Sequence, residues 1–280
     1  MRQFERIAII GVGLIGGSVG LAIKKKGLAK EVVGIFRRRS TLVRALRHGA
    51  IDRGTLDLKD GVSGASLVVV ATNVGTIAKL AKKALPFMKR GSVLTDAGSV
   101  KADIAKEIEA AIPSGVSFVG AHPMAGSEKA GVEFASDDLF ENALVILTKT
   151  KNTDKRALDA MARFWRSLGA KVVIMRPDAH DRRVAMISHL PHMAALGLCL
   201  AQSIDDLPLA AGGFKDTTRT ASSDPEMWRD ILEANARCAI RALDRFSKEI
   251  ARVRRNIYDR DFDALLGRMK RAKAIRDSVR

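Results

Sequence analysis

Arg6-Ile7-Ala8-Ile9-Ile10-Gly11-Val12-Gly13-Leu14-Ile15-Gly16-Gly17-Ser18 runs from an apolar segment too short for a helix straight into G-x-G-x-x-G. Val19 to Ile23 then continue with helical spacing. A strand, a tight turn and a helix start in that order form the opening of a dinucleotide-binding βαβ unit. Gly11 allows the turn, Gly13 lets backbone approach a pyrophosphate, and Gly16 lets helix and strand pack closely. Leu14 and Ile15 lie between them, where the helix N-terminus offers free N–H groups and a partial positive charge to phosphates. A glycine-rich turn alone is weak evidence. A preceding strand and a following helix make it specific.

Outward from this turn, strand-like runs recur at Val32–Phe36, Ser66–Thr72, Ser92–Asp96, Ser117–Ala121, Ala143–Thr148 and Lys171–Met175. Helical patterns at Ile77–Met88, Lys101–Ile112 and Asp154–Leu168 separate most of them. Such alternation implies a mostly parallel, doubly wound sheet of Rossmann type. After Pro177 the strand runs stop. Asp178–Ser203 reads as one long apolar helix interrupted by Pro191, and Asp224-Pro225 opens another that carries Ile231, Leu232, Ala234, Ala239, Leu243 and Phe246 at helical spacing. The expected architecture is α/β, with a Rossmann-type dinucleotide-binding domain over residues 1–176 and an all-helical substrate and dimerisation domain over 177–280.

Length and composition agree. The 280 residues suffice for two domains with cores, and 47% are hydrophobic. No uninterrupted apolar run approaches the ~20 residues that cross a bilayer, and the first strand begins too early for a signal peptide. Cys199 and Cys238 lack metal-site or disulfide spacing, so they read as buried thiols in a reducing cytoplasm. The net charge of +17 is partly terminal, since Ala251 to Arg280 holds ten Lys/Arg against four Asp. With 5% aromatic residues and no recognition motif, nucleic acid is not the expected partner. A solvated basic surface that steers anionic ligands is.

Ligands of doubly wound sheets bind at the carboxyl ends of the strands. Thr72-Asn73 follows the third strand read here, where it can contact a nicotinamide or ribose. Asp96-Ala97-Gly98-Ser99-Val100-Lys101 follows the fourth, and Ala121-His122-Pro123-Met124-Ala125-Gly126-Ser127-Glu128 follows the fifth. His122, fixed by a proline among small residues, is the candidate base. The helical half adds Ser188-His189-Leu190-Pro191-His192 and a glycine-entered polar loop, Gly212 to Arg219. The H-x-x-H spacing lacks a third ligand, so no metal is expected. Arg219, near Lys215 and Asp216, is a candidate carboxylate clamp.

Taken together, GVGLIGGS at Gly11–Ser18, DAGSVK at Asp96–Lys101, GAHPMAGSEKAGVE at Gly120–Glu133, SHLPH at Ser188–His192 and GGFKDTTRTASSDPEMWRD at Gly212–Asp230 resemble the prephenate/arogenate (cyclohexadienyl) dehydrogenase family of tyrosine biosynthesis. The resemblance covers nearly the whole chain. It implies NAD(P)-dependent oxidative decarboxylation of prephenate or arogenate, with His122 as the base that takes the ring hydroxyl proton and Ser99 orienting it beside the nicotinamide. It further implies Arg219 on a substrate carboxylate, His192 facing the substrate side chain, and Glu128, Gly213 and Trp228 lining or closing the pocket. A homodimer through the helical domain is implied as well. The stand-alone two-domain form is expected, without regulatory or mutase segments.

The cofactor is decided at one departure. An NAD-type domain places an acid about 20 residues beyond the glycines. Here that place reads Phe36, followed by Arg37, Arg38 and Arg39, which suits a 2′-phosphate and favours NADP, with NAD possible. Two rival readings share parts of the pattern: another NADP-dependent dehydrogenase of β-hydroxyacid type, and a non-catalytic nucleotide-sensing or nucleic-acid-binding protein. The first would use a helical lysine and has no need of the HPMAGSE or SHLPH segments. The second has no need of His122, Ser99 and Arg219.

Overall fold

The computed structural model describes residues 4–127 and 129–279. β1 (Phe4–Ile10) leads into α1 (Leu14–Lys25), β2 (Ala29–Ile35), α2 (Arg39–Arg47), β3 (Arg53–Thr55), α3 (Leu58–Val62), β4 (Leu67–Val70) and α4 (Val74–Ala84). β5 (Val93–Asp96), α5 (Ala102–Glu109), β6 (Ser117–Pro123), β7 (Leu144–Thr148), α6 (Lys155–Ser167) and β8 (Lys171–Met175) complete the first half. The eight strands form one sheet in the order β3-β2-β1-β4-β5-β6-β7-β8. Every pairing is parallel except β6 with β7, where His122 lies opposite Ile146.

β1 shows why such a strand reads as a continuous apolar run. Ile7 and Ile9 face a core shared with Val19 and Ile23 of α1 and Phe164 and Trp165 of α6. Ala8 and Ile10 face the opposite core, with Val68, Val70, Ile77 and Ile104. Both faces are covered by helices, so neither can be polar.

The second half is helical. α7 (Pro177–Val184) and α8 (Leu190–Leu200) are joined by a π turn, Ala185–His189. Then come α9 (Gly212–Thr218), α10 (Pro225–Ala234), α11 (Ala236–Tyr258) and α12 (Phe262–Asp277). The expected interruption at Pro191 does not occur. Proline removes an N–H and crowds the carbonyl four residues back, and the π turn, with Leu190 N–H donating to the Ala185 carbonyl, absorbs that mismatch without breaking the helix. Pro177–Leu200 is thus one 24-residue helix, long and apolar enough by length and composition to cross a membrane, which the run-based reading missed. Only 28% of its most apolar window is buried within the chain.

Three other expectations need correcting. The helix opened by Asp224 stops at Asn235, whose side chain turns inward, and α11 starts anew. The Gly212–Arg219 segment is α9 and the start of a 3-10 turn (Arg219–Ser222), not a loop. Cys199 and Cys238 are free but only half-buried. The short β3, the five-residue α3, and α2 and α12 were not legible from periodicity.

The two halves dock through α10 on α4. Ile231, with Met227, Trp228 and Ala234 around it, joins the core of Val74 and Ile77. Ile231→Ala should therefore cost ~2–4 kcal/mol of unfolding free energy in urea, as deletion of a buried aliphatic side chain does. A loss below about 1 kcal/mol would show that α10 is not part of that core.

Candidate active site

Gly11 and Gly16 build the turn after β1. Gly11 has φ of +88°, and a Cβ on Gly16 would lie 2.1 Å from the Gly11 carbonyl oxygen. A Cβ on Gly13, by contrast, would meet nothing within 4 Å. Helix and strand are as close as backbone allows at Gly16, with open space over Gly13. The first turn of α1 carries no acidic side chain. Leu14 and Ile15 are half-buried there. Thr72 and Asn73 lie just beyond β4, and the Cγ2 of Thr72 is 2.6 Å from where a Gly11 Cβ would stand. These residues fit a dinucleotide, with α1 N–H groups for the pyrophosphate.

At the end of β2, Phe36 is buried and donates its backbone N–H to Thr55. Arg37, Arg38 and Arg39 are exposed, and none of their guanidinium groups makes a hydrogen bond or ion pair among the described residues. The adjacent α2 also has no acid in its first turn.

His122 stands near the end of β6, 8% exposed. Its Nδ1 lies 2.8 Å from Nε2 of His180, and Nδ1 of His180 lies 2.7 Å from Oδ1 of Asp181. Asp181 also accepts from the backbone N–H groups of Lys101 and Ala102, both at 2.8 Å. A residue of α7 thus caps α5, supplying the acceptor that the first turn of α5 lacks on its own strand-end turn. Asn235 donates to the Asp181 carbonyl at 3.0 Å and contacts Nδ1 of His189 at 3.3 Å. Beneath His122, fully buried Lys101 pairs with Asp96 and donates to the Ala121 carbonyl.

Ser99 is half-buried in the β5–α5 turn. No hydrogen bond joins it to His122, whose Nδ1 is held by His180 instead. His192 of α8 is buried and stacked on Trp228 of α10, with centroids 3.5 Å apart and planes 4° from parallel. His189 meets the same indole edge-on at 5.9 Å. The H-x-x-H pair therefore engages Asn235 and Trp228. Around Trp228, three buried nitrogens lack partners: its own Nε1, Nε2 of His189 and Nδ1 of His192. Gly213 lies exposed in the first turn of α9, and Arg219 is exposed after it. Glu128 lies outside the described residues.

Sequence reasoning missed His180, Asp181, Lys101, Asp96, His189 and Asn235 as parts of this network. Asp96 and Lys101 fall in one motif, but nothing local shows that they pair. His180-Asp181 sits in a charged helical stretch whose contact with β6 is purely tertiary.

Burial sets the protonation of the histidines. It pushes His122 well below the usual imidazole range, helped by His180, Lys101 and His189 nearby. Burial also lowers His180 against the opposing pull of Asp181, and lowers His192 against a hydrogen bond with the Thr220 backbone. His189 is pushed down to about 4. All four rings are neutral at pH 7.

The helical half and the sheet together define a dinucleotide-dependent oxidoreductase with a buried histidine at the strand ends. The comparisons make the assignment finer. The nucleotide-binding domain of prephenate dehydrogenase matches residues 19–174, and its dimerization domain matches residues 176–271. The chain is 39% identical to prephenate dehydrogenase of Bacillus subtilis, over 98% of this chain and 76% of that one. It is 33% identical to cyclohexadienyl dehydrogenase of Zymomonas mobilis, over 99% and 96%. The crystal structure of prephenate dehydrogenase from Aquifex aeolicus, in complex with hydroxyphenyl propionate and NAD+, superposes with a TM-score of 0.92 at 34% identity, covering 99% of this chain and 98% of that one. This chain belongs to the prephenate dehydrogenase family.

The neutral histidines predict the acid response of the fold. Each binds a proton when unfolded, near pH 6.5, but not when folded. Stability is therefore full above that value and falls as pH drops toward about 4, the value for His189. The slope is about 1.4 kcal/mol per pH unit for each histidine that stays neutral. Urea midpoints at pH 7.5, 6.5 and 5.5 should fall only slightly over the first step and more steeply over the second. A flat profile would mean that these rings bind protons as readily in the folded protein as in the unfolded chain.

Proposed function

We propose that this chain carries out the reaction of its family with His122 as the base and with NADP preferred over NAD. The reaction is an NAD(P)-dependent oxidative decarboxylation of prephenate or arogenate in tyrosine biosynthesis. The observation that carries the base assignment is a neutral, buried imidazole at the carboxyl end of β6, with Nδ1 already engaged and Nε2 without a partner among the described residues. His122 takes the ring hydroxyl proton at Nε2 as the carbonyl develops. The ring carboxylate leaves as carbon dioxide, and its bonding pair completes the aromatic ring. Bound nicotinamide supplies the hydride acceptor.

The remaining roles follow from placement and chemistry. Gly11, Gly13, Leu14, Ile15, Gly16, Thr72 and Asn73 hold the dinucleotide, and Ser99 sits on the turn beside it. Arg219 clamps a substrate carboxylate. His192 and Trp228 line the pocket with Gly213, and the family resemblance adds Glu128, which lies outside the described residues. Buried polar atoms are ordinarily paired, so the three orphan nitrogens around Trp228 support a polar ligand group there. The domain boundary falls between Met175, which ends β8, and Pro177, which opens α7. Leu200, Ile250, Phe262, Met269 and Ile275 expose apolar surface on α8, α11 and α12, which supports a homodimer through the helical half. A cytoplasmic location accords with the unpaired cysteines.

NADP is favoured by the end of β2. Phe36 occupies the place of the acid that would bind the ribose hydroxyls, and three exposed guanidinium groups, unpaired among the described residues, follow it. The relative from A. aeolicus was solved with NAD+, so the preference rests on these residues of this chain.

His122→Asn should lower kcat by ~10²–10⁴-fold and leave cofactor affinity near wild type. A variant that keeps more than about a tenth of wild-type kcat removes His122 from the base role. For the cofactor, NADP should show kcat/KM roughly ten- to a hundredfold above NAD, the worth of a charge-assisted contact of ~1.5–3 kcal/mol. Phe36→Asp combined with Arg37→Ala should reverse that order. Equal use of NAD and NADP by the wild type would reduce the arginine run to a solvated turn.

A further inference from the structure

With both rings neutral, the chain His122–His180–Asp181 admits one arrangement of protons. Oδ1 of Asp181 accepts the Lys101 N–H and faces Nδ1 of His180 at 2.7 Å, while Oδ2 accepts the Ala102 N–H. A carboxylate in that setting is an acceptor, so the hydrogen between it and the ring belongs to Nδ1 of His180. The ring of His180 is neutral, so its Nε2 carries a lone pair. That lone pair lies 2.8 Å from Nδ1 of His122, which must therefore donate. His122 is neutral as well, and its single N–H is now spoken for. Its Nε2 is left unprotonated.

The opposite arrangement would set the lone pairs of His180 Nδ1 and the Asp181 carboxylate against each other at 2.7 Å. Among the described residues, no other group competes for these positions. Lys101 Nζ is directed to Asp96 and the Ala121 carbonyl, and Nδ1 of His189 is turned to Asn235. The dyad is itself anchored, because Asp181 caps α5 and its carbonyl accepts from Asn235 of the α10–α11 junction.

We propose that His180 and Asp181 form a positioning dyad that fixes the tautomer of His122, presenting an unprotonated Nε2 to the substrate hydroxyl. The proposal rests on the reading of His122 as the base. When the O–H bond breaks and the N–H bond forms at Nε2, the positive charge on the His122 ring is held through Nδ1–H to His180 and on to the Asp181 carboxylate. The proton stays on His122, and no second transfer is required. His180 is fully buried and acts only through His122.

The direct test is long-range 1H–15N correlation of the histidine rings in the full-length wild-type protein at pH 8. Both His122 and His180 should be Nδ1–H tautomers. An Nε2–H tautomer on either ring overturns the dyad, without need of any variant. Kinetics supply the second arm. His180→Phe removes the acceptor and should lower kcat by roughly ten- to a hundredfold, with KM for substrate and cofactor within about twofold. His180→Gln places an amide carbonyl where Nε2 stood, can accept from His122 Nδ1–H, and should restore most of the loss. Equal loss in both variants, or none in His180→Phe, overturns the proposal. Near wild-type turnover in His122→Asn together with the expected tautomers would instead sink the base reading while leaving the dyad in place.

Discussion

The carboxylate of Asp181 joins the two halves of the molecule at the point where chemistry is placed. Helix α5 begins with N–H groups that no side chain of its own turn accepts. Asp181, from the first helix of the second half, accepts two of them and holds His180 with the same group. Removing it would leave the start of α5 unsatisfied and let the His180 ring turn. The β5–α5 turn, which carries Ser99, and the position of His122 both depend on that contact.

A second constraint lies below it. Lys101 is fully buried, and burial lowers its pKa while the Asp96 charge opposes that. A buried pair is seldom a net gain in stability, because two ions must leave water. Here the pair is further satisfied by the Gly98 N–H, the Ala121 N–H and the Ala121 carbonyl. Its effect is geometric. It pins the end of β5 to the end of β6, one residue before His122. Strand ends fixed by charge and a helix start fixed from across the domain boundary make a rigid floor for a reaction that needs atoms held in register.

The helical half does two kinds of work with one set of helices. Inward, α8 and α10 bring His192 and Trp228 into parallel contact and leave polar nitrogens around them. Outward, α8, α11 and α12 expose apolar side chains such as Leu200, Phe262 and Ile275. The π turn before Pro191 belongs to the first task. It keeps α7 and α8 on one axis, with His180, His189 and His192 all on buried positions of the same helix.

The sequence alone carries the βαβ opening, the doubly wound sheet, the change to helices near Pro177 and the family, because each is written in local patterns: period, glycine placement and contiguous motifs. It also singled out His122, His192, Arg219 and Trp228 within such motifs. It did not reveal that β7 and β8 run against the rest of the sheet, that Asn235 breaks a helix, or that α9 is helical, since strand direction and helix ends here depend on contacts far along the chain. Above all it could not pair His122 with His180, 58 residues away, or Asp181 with the start of α5, 79 and 80 residues away. Short polar side chains carry no periodic signal. Only packing α7 against the sheet excluded water, brought the acceptor to the unsatisfied N–H groups, and so decided which nitrogen of His122 is left open.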